Sequence, residues 1–379
     1  MTDRLNVILS PSRFVMLSEA KHLSVTLRKG SVKNLGLQSM IQITCAREGK
    51  NMLSKLARLA LLLILLPGAV AAEDRYLIAY GGFAGFQAPV WAAKDLGLLA
   101  KYGLNGEVVM VPGSTREIQA LVGGSVHFAQ VDAVTTVNAI NQGADLVMIS
   151  GSLNTFPFSF VAQKEIRKPE DLAGKKIGIV GFGGANELAI ALALKEWNVP
   201  RQSVTIIQSG GAATRLLALS TKALDATVLA YPELGEAVRM GMNVLGHMRD
   251  MKTAAFPMNI VAVRRSFLEK NRDTVKRFQQ AYAEATYQFL NSKEKAVAVL
   301  MKRLQQKNPK AVEETYQYVA PSFSFPTRVS HQGLRNTLEM AAQRTPGAKV
   351  ETNLEKYLDE STLDELEKEG FFKKLGGKS

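Results

Sequence analysis

Cysteine is almost absent: the 379 residues contain one, Cys45. It lies upstream of a segment that reads as an export signal, so the processed chain holds none. A chain without thiols has no disulfide framework, no thiolate nucleophile and no zinc–thiolate centre. Histidine is nearly as scarce, with four in all. His127, His247 and His331 have no metal-ligand spacing, and each reads as structural or exposed. No metal or other cofactor is expected. Aromatic residues make up only 7%, and no basic run is interleaved with them, so no nucleic-acid partner is expected. The net charge of +13 weakens on division: residues 1–71 hold 10 of the 47 Lys/Arg and 3 of the 34 Asp/Glu, leaving +6 elsewhere. That remainder is scattered in short clusters such as Arg264-Arg265 and Lys373-Lys374, as on a solvated surface.

Long hydrophobic runs are also missing. The strongest, Leu59 to Leu66, is far short of the ~20 residues that span a bilayer. Its flanks give it another meaning. Lys55 and Arg58 precede it, Pro67 breaks it, and Ala69-Val70-Ala71 places small residues where a signal peptidase cuts. The alternative is a buried core helix, but the order of features points to a signal peptide over residues 52–72 and a periplasmic product. Signal peptides begin at the N-terminus, so Met52 reads as the initiator and residues 1–51 as an over-extended start. No cysteine follows the cut, which excludes a lipid anchor there.

From Asp74 short apolar runs alternate with helical stretches. Strands are expected at Tyr76–Tyr80, Glu107–Val111, Val126–Val131 and Leu146–Ser150. Helices are expected over Pro89–Tyr102, Thr115–Val122 and Ala133–Asn141. Ser114 and Glu117 have the spacing of a capping box. A second series follows, with strands at Ser159–Gln163, Lys176–Val180, Val204–Gln208 and Ala226–Leu229, then Val244-Leu245 and Ile260–Val263. Its helices run from about Glu187 to Trp197 and over Thr214–Ser220. From Arg272 onward the pattern is almost wholly helical, with Val275, Phe278, Tyr282 and Thr286 at helical spacing. Alternation of this kind predicts parallel βαβ units, and the simplest assembly is two open sheets facing across a cleft. Ligands in such folds sit at the carboxyl ends of strands, near helix N-termini.

Four stretches carry a family resemblance. They are Ala93-Lys-Asp-Leu-Gly-Leu-Leu-Ala-Lys-Tyr-Gly-Leu104, Gln119-Ala-Leu-Val-Gly-Gly-Ser-Val-His-Phe-Ala129, Pro169-Glu-Asp-Leu-Ala-Gly-Lys-Lys-Ile-Gly178 and Leu224-Asp-Ala-Thr-Val-Leu-Ala-Tyr-Pro232. Together they resemble periplasmic solute-binding proteins of ABC transporters over roughly residues 75–300. The nearest branch includes aliphatic-sulfonate, taurine, nitrate and thiamine-precursor (pyrimidine) binders. The resemblance implies an α/β chain with the type II periplasmic-binding-protein fold and a helical C-terminal tail packed mostly on lobe one. Lobe one is then expected over 74–162 and 258–379, and lobe two over 163–257, with a hinge motion closing them on ligand. It further implies a monomer that binds a small, anionic or heteroaromatic molecule and delivers it to a membrane permease.

The loops after the strands supply the candidate ligand-binding residues. Gly82, Phe83 and Phe86 combine close backbone approach with flat apolar walls, or form a tight turn over core aromatics. Ser114 and Thr115 sit at a helix N-terminus that can bind an anion, or Ser114 simply caps its own helix. Gln130 and Asp132 follow the third strand; Asp132 accepts from a ligand N–H or caps the next helix. Gly183, Gly184, Ala185 and Asn186 offer another N-terminus with an amide side chain. Tyr231 and Glu233 flank Pro232 as a wall and a polar contact. Arg116 and Arg215 lie in first helical turns, where a cation is unfavourable and could pair with an external anion, although solvated side chains are the expectation.

Enzymatic readings fare poorly. Lys176–Gly184 begins like a dinucleotide fingerprint, but Asn186 replaces the third glycine and the next strand ends Gln208-Ser209 without an acid. Relatives of the pyrimidine binders that make the thiamine pyrimidine carry a cysteine-rich iron site, which this chain lacks. A sensor that presents its bound ligand to a membrane receptor stays open beside transport.

Overall fold

The computed structural model describes residues 5–7, 41–43, 75–252, 254–343 and 350–376. The expected signal segment at 52–72 lies outside the described residues. The chain divides into two units, 1–72 and 73–379. In the first, Leu5–Val7 pairs antiparallel with Ile41–Ile43.

The second unit contains, in chain order, strands β1 (Arg75–Tyr80), β2 (Asn105–Met110), β3 (Phe128–Val131), β4 (Leu146–Thr155) and β5 (Ser159–Ala162). Strands β6 (Lys176–Ile179), β7 (Thr205–Gln208), β8 (Ala226–Leu229), β9 (Asn243–His247) and β10 (Ala255–Arg264) follow. They form two five-stranded sheets, in the orders β2-β1-β3-β10-β4 and β9-β5-β8-β6-β7. Within each, the expected βα units build a parallel core: β2-β1-β3 in the first sheet and β8-β6-β7 in the second. The strands near the crossings between sheets add on antiparallel, β10 against β3 and β4, β5 against β8, and β9 against β5. Long β10 explains why β4 extends to Thr155 instead of stopping at Ser150: it has a partner along its length, with Ala255 opposite Thr155. Ser159–Ala162, expected in lobe one, pairs in the second sheet. The chain therefore crosses between sheets at 156–158 and returns after Asp250.

The connecting helices are α1 (Ala88–Asp95), α2 (Leu98–Lys101), α3 (Ser114–Val122), α4 (Ala133–Asn141), α5 (Ala185–Glu196), α6 (Ala212–Ser220) and α7 (Glu233–Arg239). The single helix expected over Pro89–Tyr102 is two pieces. Gly97 at φ +72° supplies the left-handed break between them.

The tail consists of α8 (Arg265–Lys270), α9 (Arg272–Asn291), α10 (Lys293–Leu304), α11 (Pro309–Val319), α12 (His331–Gln343), α13 (Ser361–Lys368) and α14 (Phe371–Lys374). Helix α9 buries Val275, Phe278, Tyr282, Ala285 and Phe289, spaced alternately three and four apart, so one stripe faces the core. Phe278 stacks on Phe128 of β3 at 4.1 Å between centroids, seating this helix against the first sheet. A carboxylate ties α1 to α10: Asp95, 6% exposed, accepts from Arg303 at 2.6 and 2.8 Å and from Lys302 at 2.7 Å.

The tail is not confined to the first sheet. Glu314 of α11 pairs with Arg239 of α7 at 3.1 Å. Tyr318 packs its ring 4.8 Å from that of Tyr231, and the Arg249 guanidinium lies 4.1 Å over it. No helix among the described residues is long and apolar enough to cross a membrane.

Candidate functional site

Every loop that follows a parallel strand at its carboxyl end opens toward one cavity of about 590 Å³. From the first sheet come Gly81–Gln87 after β1, Pro112–Gly113 after β2, and Asp132 after β3. From the second come Val180–Phe182 and Gly184–Asn186 after β6, Gly210–Arg215 after β7, and Ala230 and Glu233 after β8. Met258 and Asn259 of β10 complete the floor. The two sides meet at the rim. Gly85 N–H donates to the Tyr231 carbonyl at 3.0 Å, and a Cβ on Gly113 would come within 3.1 Å of Val180 Cγ1.

The cavity walls are apolar above and polar below. Phe83 from one side and Phe182 from the other are 48% and 52% exposed, large rings left in solvent. Exposed aromatics facing one cleft are what a flat or apolar ligand surface needs. Phe86 is nearly buried and stands edge-on to Phe158, at 5.9 Å between centroids.

At the base, Gln130 Nε2 donates to Gln87 Oε1 at 2.5 Å while its Oε1 accepts from Tyr282 OH at 2.8 Å. Tyr282 OH in turn lies 2.6 Å from Ser152 Oγ. Asn259 Nδ2 donates to the Phe86 carbonyl. This buried chain holds the Gly85–Gln87 turn in place, so Gln130 faces the cavity with both ends of its amide already bonded.

Carboxyl groups outnumber basic side chains at the site. Glu117 on α3 is 1% exposed, and its Oε2 has no hydrogen-bond partner. Burial pushes its carboxyl well above the ordinary range, and the neighbouring Asp132 adds to the shift. Asp132 is wholly buried and caps α4, accepting from Thr135 N at 2.9 Å and from Thr135 Oγ1 at 3.0 Å. Burial raises it too, and bonds from Ser114 and Thr135 only partly offset that. Glu233, at the start of α7, has an unpartnered Oε2 and is raised by burial, against the pull of Arg215.

Arg215 itself is 3% exposed, not solvated as expected. It donates to Thr227 Oγ1 at 2.9 Å, the Gly210 carbonyl at 2.6 Å and the Val228 carbonyl at 3.1 Å. Burial brings its guanidinium down to about 10, with Glu233 pulling the other way.

Of the residues singled out from sequence, Gly82, Phe83, Phe86, Ser114, Thr115, Gln130, Asp132, Gly184, Ala185, Asn186 and Glu233 line this cavity, as does Arg116. Gly183 and Tyr231 do not. Gly183 N–H donates to Glu187 Oε2 at 2.7 Å, closing the start of α5, and the Tyr231 ring lies on Tyr318.

The capping box is also absent. Gly113 is the N-cap of α3 with no side-chain bond, and the Ser114 hydroxyl donates to Asp132 instead. Glu117, freed from that role, turns into the cavity. Its position among Ile118 and Leu121 on the buried helix face was the available signal for this. His247 bonds Ser159 at 2.7 Å, and His127 Nδ1 accepts from Leu77 N–H at 3.1 Å. No metal-competent cluster of His, Cys, Asp or Glu occurs among the described residues.

A model of the NMT1/THI5-like family matches residues 87–296, more than half of the chain. The chain belongs to that family. A Brucella abortus relative, named only as a binding protein, is 27% identical over 238 residues, covering 60% of this chain and 71% of its own length. Among solved structures, the periplasmic aliphatic sulphonate binding protein of Escherichia coli aligns with TM-score 0.59 and 18% identity, over 72% of this chain and 90% of its own. The periplasmic nitrate-binding protein of Synechocystis aligns with TM-score 0.62 and 14% identity, over 79% and 89%. At such identities the structural likeness establishes the fold, which is that of periplasmic binding proteins. It matches the architecture of two open sheets, parallel at their cores, around a cleft.

Proposed function

We propose that this chain is the exported solute-binding component of an ABC-type importer, closing its two sheets on a small molecule and handing it to a membrane permease. The lobes are the two sheets with their helices, joined at 156–158 and after Asp250. The observation that carries the reading is the cleft itself: a cavity of about 590 Å³ fed by strand ends of both sheets. Buried polar atoms face into it without partners, Glu117 Oε2, Asn186 Oδ1 and Glu233 Oε2. Unmet buried hydrogen-bonding groups cost stability, and sites of binding are where such a cost is sustained. Membership of a family whose relatives are named as binding proteins supports the same reading. The candidate contacts are Phe83 and Phe182 as facing walls, with Asn186, Glu117 and Glu233 as polar partners. Periplasmic location rests on the signal-peptide pattern at 52–72.

The test uses the chain processed after Ala72. Its Tm should rise with some member of a small-solute panel, since a ligand that binds only the folded state stabilises by mass action. The same ligand should shift Asn186→Ala less. If a ligand raises Tm equally in both, the cleft is not its site.

A further inference from the structure

We infer that the solute presents positively charged N–H groups to Glu117 and Glu233, making it a cationic nitrogen compound (an amine, guanidine or amidine) and not an oxyanion. This rests on the reading of the cleft as a solute site and concerns its chemistry. The unpartnered buried atoms that face the cavity are all acceptors: Glu117 Oε2, Glu233 Oε2 and Asn186 Oδ1. A side-chain amide can turn to offer its other face, so the two carboxylates decide the matter. Burial raises both carboxyls in the empty cleft, and a cation placed beside them returns them to the ionised form, which only accepts hydrogen bonds, as an oxyanion ligand does. Placed together in a desolvated cavity, a carboxylate and an oxyanion repel.

The usual lure for an anion is taken at most of the helix starts. Free N–H groups at helix starts attract negative charge. Here the chain brings its own acids to most of these starts: Asp132 caps α4, Glu187 closes the start of α5, and Glu117 and Glu233 lie in the first turns of α3 and α7, whereas α6 has Gly211 as its N-cap, with no side-chain cap and no acid in its first turn. The buried guanidinium of Arg215 is committed to Thr227, Gly210 and Val228. Of the side chains lining the cavity, Glu117, Asp132 and Glu233 stand against Arg116 and Arg215, an acidic excess of one when all are ionised. A ligand with two or more N–H donors and a positive charge satisfies the orphaned oxygens and balances that excess. Its flat or apolar part fits between Phe83 and Phe182.

The test compares probes of one shape and opposite charge. The processed chain is titrated with benzamidine, agmatine and histamine, and in parallel with benzenesulfonate, benzoate and nitrate, reading Tm and calorimetric affinity at pH 7.5. At least one cation should raise Tm. Its affinity should then fall about 10- to 100-fold in Glu117→Gln or Glu233→Gln, the loss of a hydrogen bond to a charged group. The ligand-free variants are checked for native circular dichroism, and both must fail to fold before the comparison is lost; Asn186→Ala then serves as the third variant, with the same fall expected. Binding of an oxyanion and no cation, weakened by Asn186→Ala, overturns the inference while leaving the binding function standing. Cation binding that none of the variants weakens overturns the inference. Silence from all six probes counts against the inference and against the cleft as a solute site.

Discussion

Replacing Glu117 by Gln should stabilise the empty protein at neutral and alkaline pH, and do so less as the pH falls. Glu117 is 1% exposed, with an unpartnered oxygen and the buried Asp132 as a like-charged neighbour. Its folded-state carboxyl is therefore raised above the ordinary value of 4.5, first by burial and then by Asp132. A group raised on folding holds its proton more tightly in the native state. Its stabilising contribution is complete below pH 4.5 and is lost as pH climbs through the raised folded value. At pH 8 the wild type either carries an uncompensated charge or retains a proton that the unfolded chain has released.

Leaving a buried polar group unmet costs about 1–3 kcal/mol. Glutamine removes the charge but still buries an amide, so the lower half of that range applies, about 1–2 kcal/mol. At roughly 2–4 °C per kcal/mol for chains of somewhat smaller size, Tm should rise by a few degrees. Thermal unfolding of ligand-free wild type and Glu117→Gln, followed by circular dichroism from pH 4 to 8.5, tests this. The gap should open with pH and close near pH 4. Asp132 and Glu233 shift in the same direction, so the variant keeps part of the slope. Parallel curves, or a variant less stable than wild type at pH 8, would refute the argument.

The carboxylate at the α1–α10 junction should behave oppositely. Burial raises Asp95, but bonds and charge from Arg303 and Lys302 together hold it below its ordinary range, so its contribution is present at neutral pH and lost as pH falls through the folded value. Asp95→Asn should cost about 2–3 kcal/mol in urea unfolding at pH 7, less than for a fully buried pair because Arg303 is 19% exposed. The difference should narrow in acid. Gly85→Ala drives a methyl into Thr315 Cγ2 and to 3.2 Å from Val319 Cγ1, and overpacking of that kind costs about 1–3 kcal/mol. Thr315→Ser should restore part of the loss in a double-mutant cycle. Phe182→Ala and Phe83→Ala remove half-exposed rings and should leave the empty protein's Tm within about a degree while weakening a ligand with a flat face severalfold by calorimetry.

How much of this was legible in the sequence depends on the range of the interaction responsible. Helix Ala133–Asn141 and strand Ala226–Leu229 were readable at their observed limits, because hydrophobic period and flanking turn residues are local. The cleft loops were readable for a related reason: they follow strands, and eleven of the thirteen residues picked from them line the cavity. Tyr231 lies off the cavity lining, its ring on Tyr318, which is distant in sequence on the tail helix α11. Arg215 looked solvated because its carbonyl partners at Gly210 and Val228 arise only when α6 packs on β8. Glu117 was misassigned by a local rule. The spacing from Ser114 satisfies a capping box, yet Ser114 bonds Asp132 and leaves the glutamate to the cavity. Local grammar located the elements, and tertiary partners decided which polar groups were free.

That last point bears on why fold and ligand separate in this family. Structural relatives named for binding sulphonate and nitrate share the two-sheet frame, and a frame does not choose a ligand. Helix starts aimed at a cleft carry a positive potential, whose use depends on the side chains set before it. Where the chain supplies neutral donors, the potential is left for an anion. Here Asp132 and Glu187 occupy N–H groups directly, and Glu117 and Glu233 bring their own charge into first turns. Burial still keeps the Glu117 and Glu233 carboxyls raised in the empty cleft, so a cationic partner is what favours their ionised form. A few acidic side chains thus reverse the polarity of a cleft without altering a strand.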